Sequence, residues 1–183
     1  PTHISMGEEF LDLQTYVDSL MRMGTVKKEK YKPFHTIALG RPALGSYGTQ
    51  HPYGEDIARI ARVLAPDAQL AKKEKAGLVY LGHGNEYFPG SGGAYLELAA
   101  KMRSLYPEVV TFIGCVEGFP GIAEVMETLK LHKVQKVVLK PFMVVAGDHA
   151  INDMSGDEED SWQSMLQKAG FEVVSVNEGL GEN

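Results

Sequence analysis

A single cysteine, Cys115, stands among 183 residues. The chain can therefore close no internal disulfide and is not equipped for a thiolate zinc site. Any metal has to be held by histidines and carboxylates. Long apolar runs are also missing. Nothing approaches the roughly 18 uninterrupted apolar residues of a membrane helix, so no membrane is expected as a partner. The opening Pro1-Thr2-His3-Ile4 has neither the basic nor the apolar stretch of a secretory signal. Cytoplasmic residence is the expectation. Periplasmic residence is the alternative, because a chain that opens on Pro instead of Met is expected to have lost something upstream. Clustered positive charge is the third absence: the formal charge is −6. The short runs at Lys27, Lys28 and Lys30 and at Lys72, Lys73 and Lys75 are interrupted by Glu and read as solvated faces. Nucleic acid is not an expected partner.

What the chain does have is 44% hydrophobic content, arranged in alternating helical and strand periods. Phe10, Leu13, Tyr16, Val17 and Leu20 form a helix stripe, and Thr36 to Leu39, a short apolar run ending at Gly40, reads as a strand. Ile57, Ile60, Ala61 and Leu64 form a second stripe, followed by a strand over Leu78 to Leu81. Three helices then alternate with three strands: Tyr95 to Leu105 with Val109 to Ile113, Ile122 to Leu131 with Val137 to Leu139, and Trp162 to Ala169 with Phe171 to Val174. Strands that alternate with helices and are apolar throughout predict an α/β protein whose parallel sheet carries helices on both faces.

Ligands bind such sheets at the carboxyl ends of the strands, and that is where the unusual residues fall. Gly82-His83-Gly84 follows one strand, Val116-Glu117-Gly118 the next, and Gly147-Asp148-His149 lies beyond a third. Pro1 to Glu9 matches Pro141 to His149 in its Pro, its spacer, its Gly and its acidic residue, placing Glu9 where the second copy has His149. Ile37 to Leu64 likewise echoes Thr111 to Leu129. The repeat predicts two flavodoxin-like lobes, residues 1–71 and 72–183, the first incomplete, joined near Lys72 to Ala76. Their cleft would carry Glu9 on one wall and His83, Glu117 and His149 on the other.

The run Pro141 to Met154, continued by Gly156 to Trp162, resembles the signature of the anaerobic sirohydrochlorin cobaltochelatases, the class II tetrapyrrole chelatases. Leu81 to Gly84, Val116 to Gly118, His3 to Glu9 and Gly179-Leu180-Gly181-Glu182-Asn183 follow in that family's order, so the likeness covers essentially the whole chain. The resemblance implies a chelatase-like fold and ATP-independent insertion of Co²⁺ into sirohydrochlorin, with Fe²⁺ or Ni²⁺ as alternative metals. It implies a catalytic metal site of His83 and His149 with an acidic partner, Glu117 being taken as the third ligand and Glu9 as a further catalytic residue, and it leaves open which of the two glutamates binds metal and which handles protons. It also implies that the chain lacks the family's N-terminal βα segment and C-terminal helix. Homo-oligomerisation is left open.

Metal insertion needs a weak docking site for the ion, bases for two pyrrole N–H protons and a cleft for the macrocycle. Imidazole and carboxylate suit Co²⁺, and neutral imidazole both ligates and accepts protons near neutral pH. Each residue has a plainer reading as well. A strand-end His83 can be a structural hydrogen-bonding group, His149 can simply bond Asp148 or Asn152, and most glutamates are solvated. His3, near Glu9, is a minor site residue at most; the spacing of His35, His51 and His132 marks no metal-ligand motif. Asp157 to Asp160 reads as the acidic start of a helix capped by Ser155 and Glu158, not as a second metal site. Pro89 to Gly93 lacks the Gly-Lys-Ser/Thr ending of a phosphate loop and reads as a flexible loop before a helix. The rival functions are a sirohydrochlorin ferrochelatase, a non-catalytic metal or tetrapyrrole binding protein, and a flavodoxin-like nucleotide module. The last is weakest, because its phosphate-binding residues are absent from the strand ends.

Overall fold

A computed structural model describes residues 1–26, 28, 31, 34–47, 52–88 and 90–182. Lys27, Lys30, His51, Pro89 and Asn183 lie outside the described residues. In chain order the elements are helices α1 (Glu8–Val26), α2 (Tyr53–Val63) and α3 (Ala65–Lys73), strand β1 (Gly77–Gly84), helix α4 (Gly90–Leu105), strand β2 (Thr111–Glu117), helix α5 (Ile122–Leu131), strand β3 (Lys136–Pro141), a π-helix (His149–Met154), helix α6 (Trp162–Lys168) and strand β4 (Glu172–Ser175). The sheet is parallel throughout, in the order β2-β1-β3-β4. Among the described residues no helix is long and apolar enough to cross a membrane.

Successive residues of a strand point to opposite faces, and β1 shows what that does to the core. Leu78 and Tyr80 pack with Ile57, Ala61, Tyr95 and Leu98 on one face. Val79 and Leu81 pack with Val125, Leu129, Trp162 and Leu166 on the other. Helices α2, α3 and α4 thus cover one side and α5 and α6 the other, which is why the strands read as continuous apolar runs. One polar cluster is buried under α3. Lys140 on β3, 4% exposed, reaches Asp67 at 2.6 Å, and the Tyr80 hydroxyl donates to the other Asp67 oxygen at 2.6 Å. Burial and the adjacent Asp67 carboxylate push the Tyr80 phenol well above its ordinary pKa.

Three expectations are corrected. Thr36 to Leu39 forms no strand: an apolar run needs a neighbour to satisfy its N–H and C=O groups, and the described strands all lie between Gly77 and Ser175. The Gly90 to Gly93 stretch is the first turn of α4 and not a loop. Ser91 there is 2% exposed and its N–H bonds the Phe88 carbonyl at 3.0 Å, so tertiary packing overrides the poor helix propensity of glycine. The helix after the acidic run starts at Trp162, capped by the Ser161 hydroxyl, which accepts from the Ser164 N–H at 3.2 Å. Ser155 instead donates to the Ala150 carbonyl at 2.9 Å, at the end of the π-helix.

The two-lobe division is a proposal. The 71/72 boundary falls inside α3, and a single core cluster unites Leu44, Ile57 and Ala61 with Leu78 and Tyr80. In α1, Phe10 is buried at 4% exposure, while Tyr16 and Leu20 of the expected stripe are exposed.

Candidate functional site

The sheet order explains how the rim is assembled. β1 lies between β2 and β3, so the end of β1 has the end of β2 on one side and the segment after β3 on the other. Gly84 pairs with Glu117 across β1 and β2, and Leu81 with Pro141 across β1 and β3. His83 is accordingly the hub. Its ring centroid lies 4.8 Å from that of His149, edge to face. Its Nδ1 lies 4.0 Å from a Glu117 oxygen, both side chains being 44% exposed. Gly84 permits this convergence: its φ is +81°, and a Cβ there would stand 1.8 Å from the Glu117 carbonyl oxygen.

Both imidazoles present the same nitrogen. The Gly84 carbonyl, 3.2 Å from His83 Nδ1, is an obligate acceptor, so Nδ1 carries the proton and Nε2 holds the free lone pair. His149 begins the π-helix, and its Nδ1 lies 2.5 Å from an Asp153 oxygen. An ionised carboxylate likewise holds the proton on Nδ1 and leaves Nε2 free. The expected partners Asp148 and Asn152 are not the ones used. A π-turn, often found at functional sites, brings residue 153 beneath residue 149.

Beside His83 lies a cavity of about 440 Å³, lined by His83, Gly84 and Tyr95, by Met143 to Val145, and by Thr2 to Ser5, Gly7 and Glu9; His149 and Glu117 are not among its lining residues. That size falls within the range of small-molecule sites. Glu9 lines this cavity and is tied to the end of β1 by Asn85. The Asn85 amide donates to Glu9 Oε2 at 3.3 Å, while its carbonyl oxygen accepts from the Tyr87 and Phe88 N–H groups at 3.1 and 2.7 Å. His3 lines the same cavity, with its Nδ1 buried and unbonded and its ring edge-on to Phe10. Tyr95, 1% exposed, sits below with its hydroxyl 3.5 Å from that of Ser5; burial pushes its phenol up to about 12, so it stays protonated.

The structure thus brings His83, His149 and Glu117 together and places Glu9 with His83 in the lining of the cavity. Among the described residues, no group of three His, Cys, Asp or Glu side chains forms a ready metal cage. Two imidazoles and a carboxylate thus meet at the sheet rim, beside a largely apolar recess. Asp153, Asn85 and Tyr95 were not legible as site residues. A helical i,i+4 spacing after His149 was the available signal for Asp153; Asn85 and Tyr95 had none, since their roles depend on what packs against them. The acidic stretch Asp157 to Asp160 contributes only Glu159, which pairs with Lys168 at 3.1 Å.

The sequence model of the family described as cobalt chelatase (CbiK) matches residues 1–183. The chain is 30% identical over 182 residues to a sirohydrochlorin cobaltochelatase of Salmonella typhimurium, an alignment that covers 99% of this chain and 60% of that protein. It is 29% identical over 180 residues to sirohydrochlorin cobaltochelatase CbiKC of Nitratidesulfovibrio vulgaris, covering 98% of this chain and 57% of that one. The chain therefore spans about three fifths of the length of these relatives.

Proposed function

This chain belongs to the cobalt chelatase (CbiK) family, and on that premise we propose that its protein inserts Co²⁺ into sirohydrochlorin at the cavity in front of His83, without ATP. The observation that carries the reading is the 4.8 Å pairing of the His83 and His149 rings, with His83 and Glu9 both lining the adjacent cavity. The exchange is balanced by two protons: Co²⁺ enters the macrocycle as two pyrrole N–H protons leave, and no nucleotide is consumed.

The roles follow from the geometry. The Nε2 atoms of His83 and His149 dock the incoming ion. Two donors hold a divalent ion weakly enough to release it, which a closed four-donor site does not. As the macrocycle captures the ion, His83 Nε2 becomes free to accept a pyrrole proton. The imidazolium formed is stabilised by Glu117, 4.0 Å from Nδ1. Glu117 stands on the Nδ1 side, which favours a role in stabilising the protonated His83 ring over that of third metal ligand. Glu9, held by Asn85, accepts the second proton.

The test is the absorbance change of sirohydrochlorin on adding Co²⁺ under anaerobic conditions, with and without the full-length protein and with Fe²⁺ as competitor. Catalytic acceleration without ATP is expected, fastest with Co²⁺. One-for-one binding with no turnover would overturn the reading.

A further inference from the structure

Residues 177–182 play no part in the chemistry proposed above, yet they grip the segment that carries His149 at both ends. After β4 the chain runs back beneath the loop that follows β3. The Leu180 N–H bonds the Met143 carbonyl and the Gly181 N–H the Val144 carbonyl, both at 2.8 Å. The approach is so close that a Cβ at Gly179 would lie 2.7 Å from the Val144 carbonyl oxygen and 2.8 Å from the Ala146 nitrogen. On the far side of His149, the Asn177 amide donates to the Ser155 hydroxyl at 2.9 Å, and that hydroxyl donates to the Ala150 carbonyl inside the π-helix.

One carboxylate oxygen closes the clamp. Glu182 Oε2 accepts from the Gly179 N–H at 2.7 Å and from the Ala146 N–H at 3.0 Å, joining the returning chain to the loop three residues before His149. The same loop supplies Met143, Val144 and Val145 to the cavity wall. Without the carboxylate the Ala146 N–H must turn to water, and the loop keeps its bonds to Leu180 and Gly181 but loses the anchor nearest His149.

We infer that Glu182 is a positioning residue, whose carboxylate oxygen fixes the Met143–Ala146 loop and through it the placement of His149 for Co²⁺ docking. The inference rests on the role proposed for His149. Both bonds fall on one oxygen, so the property required is an acceptor at that reach and not a negative charge. An amide oxygen serves equally, and a shorter side chain does not.

The experiment compares full-length wild type with Glu182→Ala, Glu182→Gln and Glu182→Asp in Co²⁺ insertion kinetics, in the visible absorption of bound Co²⁺ without tetrapyrrole, and in thermal melting. Partners that orient a metal-binding histidine are worth about 10-fold or more. On that scale, Glu182→Ala is expected to lower kcat/KM for Co²⁺ by about 10-fold and Glu182→Gln to stay within about twofold of wild type. Glu182→Asp should be impaired like Ala, with the Co²⁺ spectrum altered in the impaired variants and the melting temperature little changed. Wild-type behaviour in Glu182→Ala overturns the inference. So does loss in Gln with activity in Asp, or losses that simply track the melting temperature. If Glu182→Ala does not fold, the order of Gln and Asp decides. If wild type binds Co²⁺ but inserts none, the chelatase reading fails, and the Co²⁺ spectra of the variants still decide whether Glu182 positions His149.

Discussion

His149 Nδ1 and a carboxylate oxygen of Asp153 lie 2.5 Å apart, and the pair spans the π-helix that follows β3. The consequence is directional, because it commits His149 to presenting Nε2. Asp153→Asn keeps the size but permits the amide to donate to Nδ1, which favours the other tautomer. Co²⁺ affinity is expected to fall about 10- to 100-fold, read by titration followed in the visible spectrum. An unchanged affinity would mean that the carboxylate does not orient the ring.

His149→Ala should abolish Co²⁺ insertion while leaving sirohydrochlorin binding nearly intact, because the recess holds the macrocycle and imidazole holds the ion. Equilibrium binding of the free tetrapyrrole, measured beside turnover, separates the two. Full turnover in this variant would remove His149 from the site.

Glu117→Gln tests the division between base and ligand. As a group stabilising protonated His83, Glu117 should matter more to turnover than to Co²⁺ affinity. A loss of about 10²-fold in kcat, with metal affinity changed far less, is the expected pattern. The reverse order would make Glu117 a metal ligand.

Away from the site, Asp67→Ala leaves Lys140 as an uncompensated charge at 4% exposure and removes the acceptor of the Tyr80 hydroxyl. Removing one partner of a buried ion pair costs roughly 3–5 kcal/mol. Urea unfolding should show a loss of that order. A change below about 1 kcal/mol, the range of exposed pairs, would mean that water reaches Lys140.

The pH dependence has a defined sign. Hydrogen bonds and charge from Lys136 hold Glu74 below its ordinary pKa, Lys72 does the same for Glu108, and the Gly179 and Ala146 N–H groups do so for Glu182. A carboxylate depressed in the folded state stabilises it above the unfolded pKa, and that contribution is lost as pH falls through the folded value. Lys136 is raised by Glu172 and Glu74, so its contribution is lost only as pH rises through its own elevated pKa. Melting temperature should therefore hold through the neutral range and fall below about pH 4, the ordinary carboxylate range. Glu108 and Glu182 are exposed and Glu74 and Lys136 half-buried at the surface, so the effect should shrink in high salt, most for the first two.

Much of the fold was legible because its cause is local. Continuous apolar runs such as Leu78 to Leu81 mark strands buried on both faces, and the stripe of Ile57, Ala61 and Leu64 marks the covering helix. Thr36 to Leu39 misled for the same reason: an apolar run announces burial, but a strand also needs a neighbour. Ser155 misled because its capping pattern is shared by any Ser followed three residues later by Glu, whereas the chain turns through Gly156 to Ser161 before α6 begins.

By itself the sequence determined the alternation of helices and strands and the identities of His83, Glu117, His149 and Glu9 as candidates, because strand ends and short motifs are written in consecutive residues. Only the tertiary structure decided that β1 lies between β2 and β3, which makes His83 the hub. It alone decided that Asp153 holds His149, that Asn85 holds Glu9, and that Glu182 reaches back to Ala146. The physical reason is range. Periodicity reports which face of an element is apolar, whereas a hydrogen bond between residues 36 or 76 positions apart exists only once packing has brought its donor and acceptor within reach.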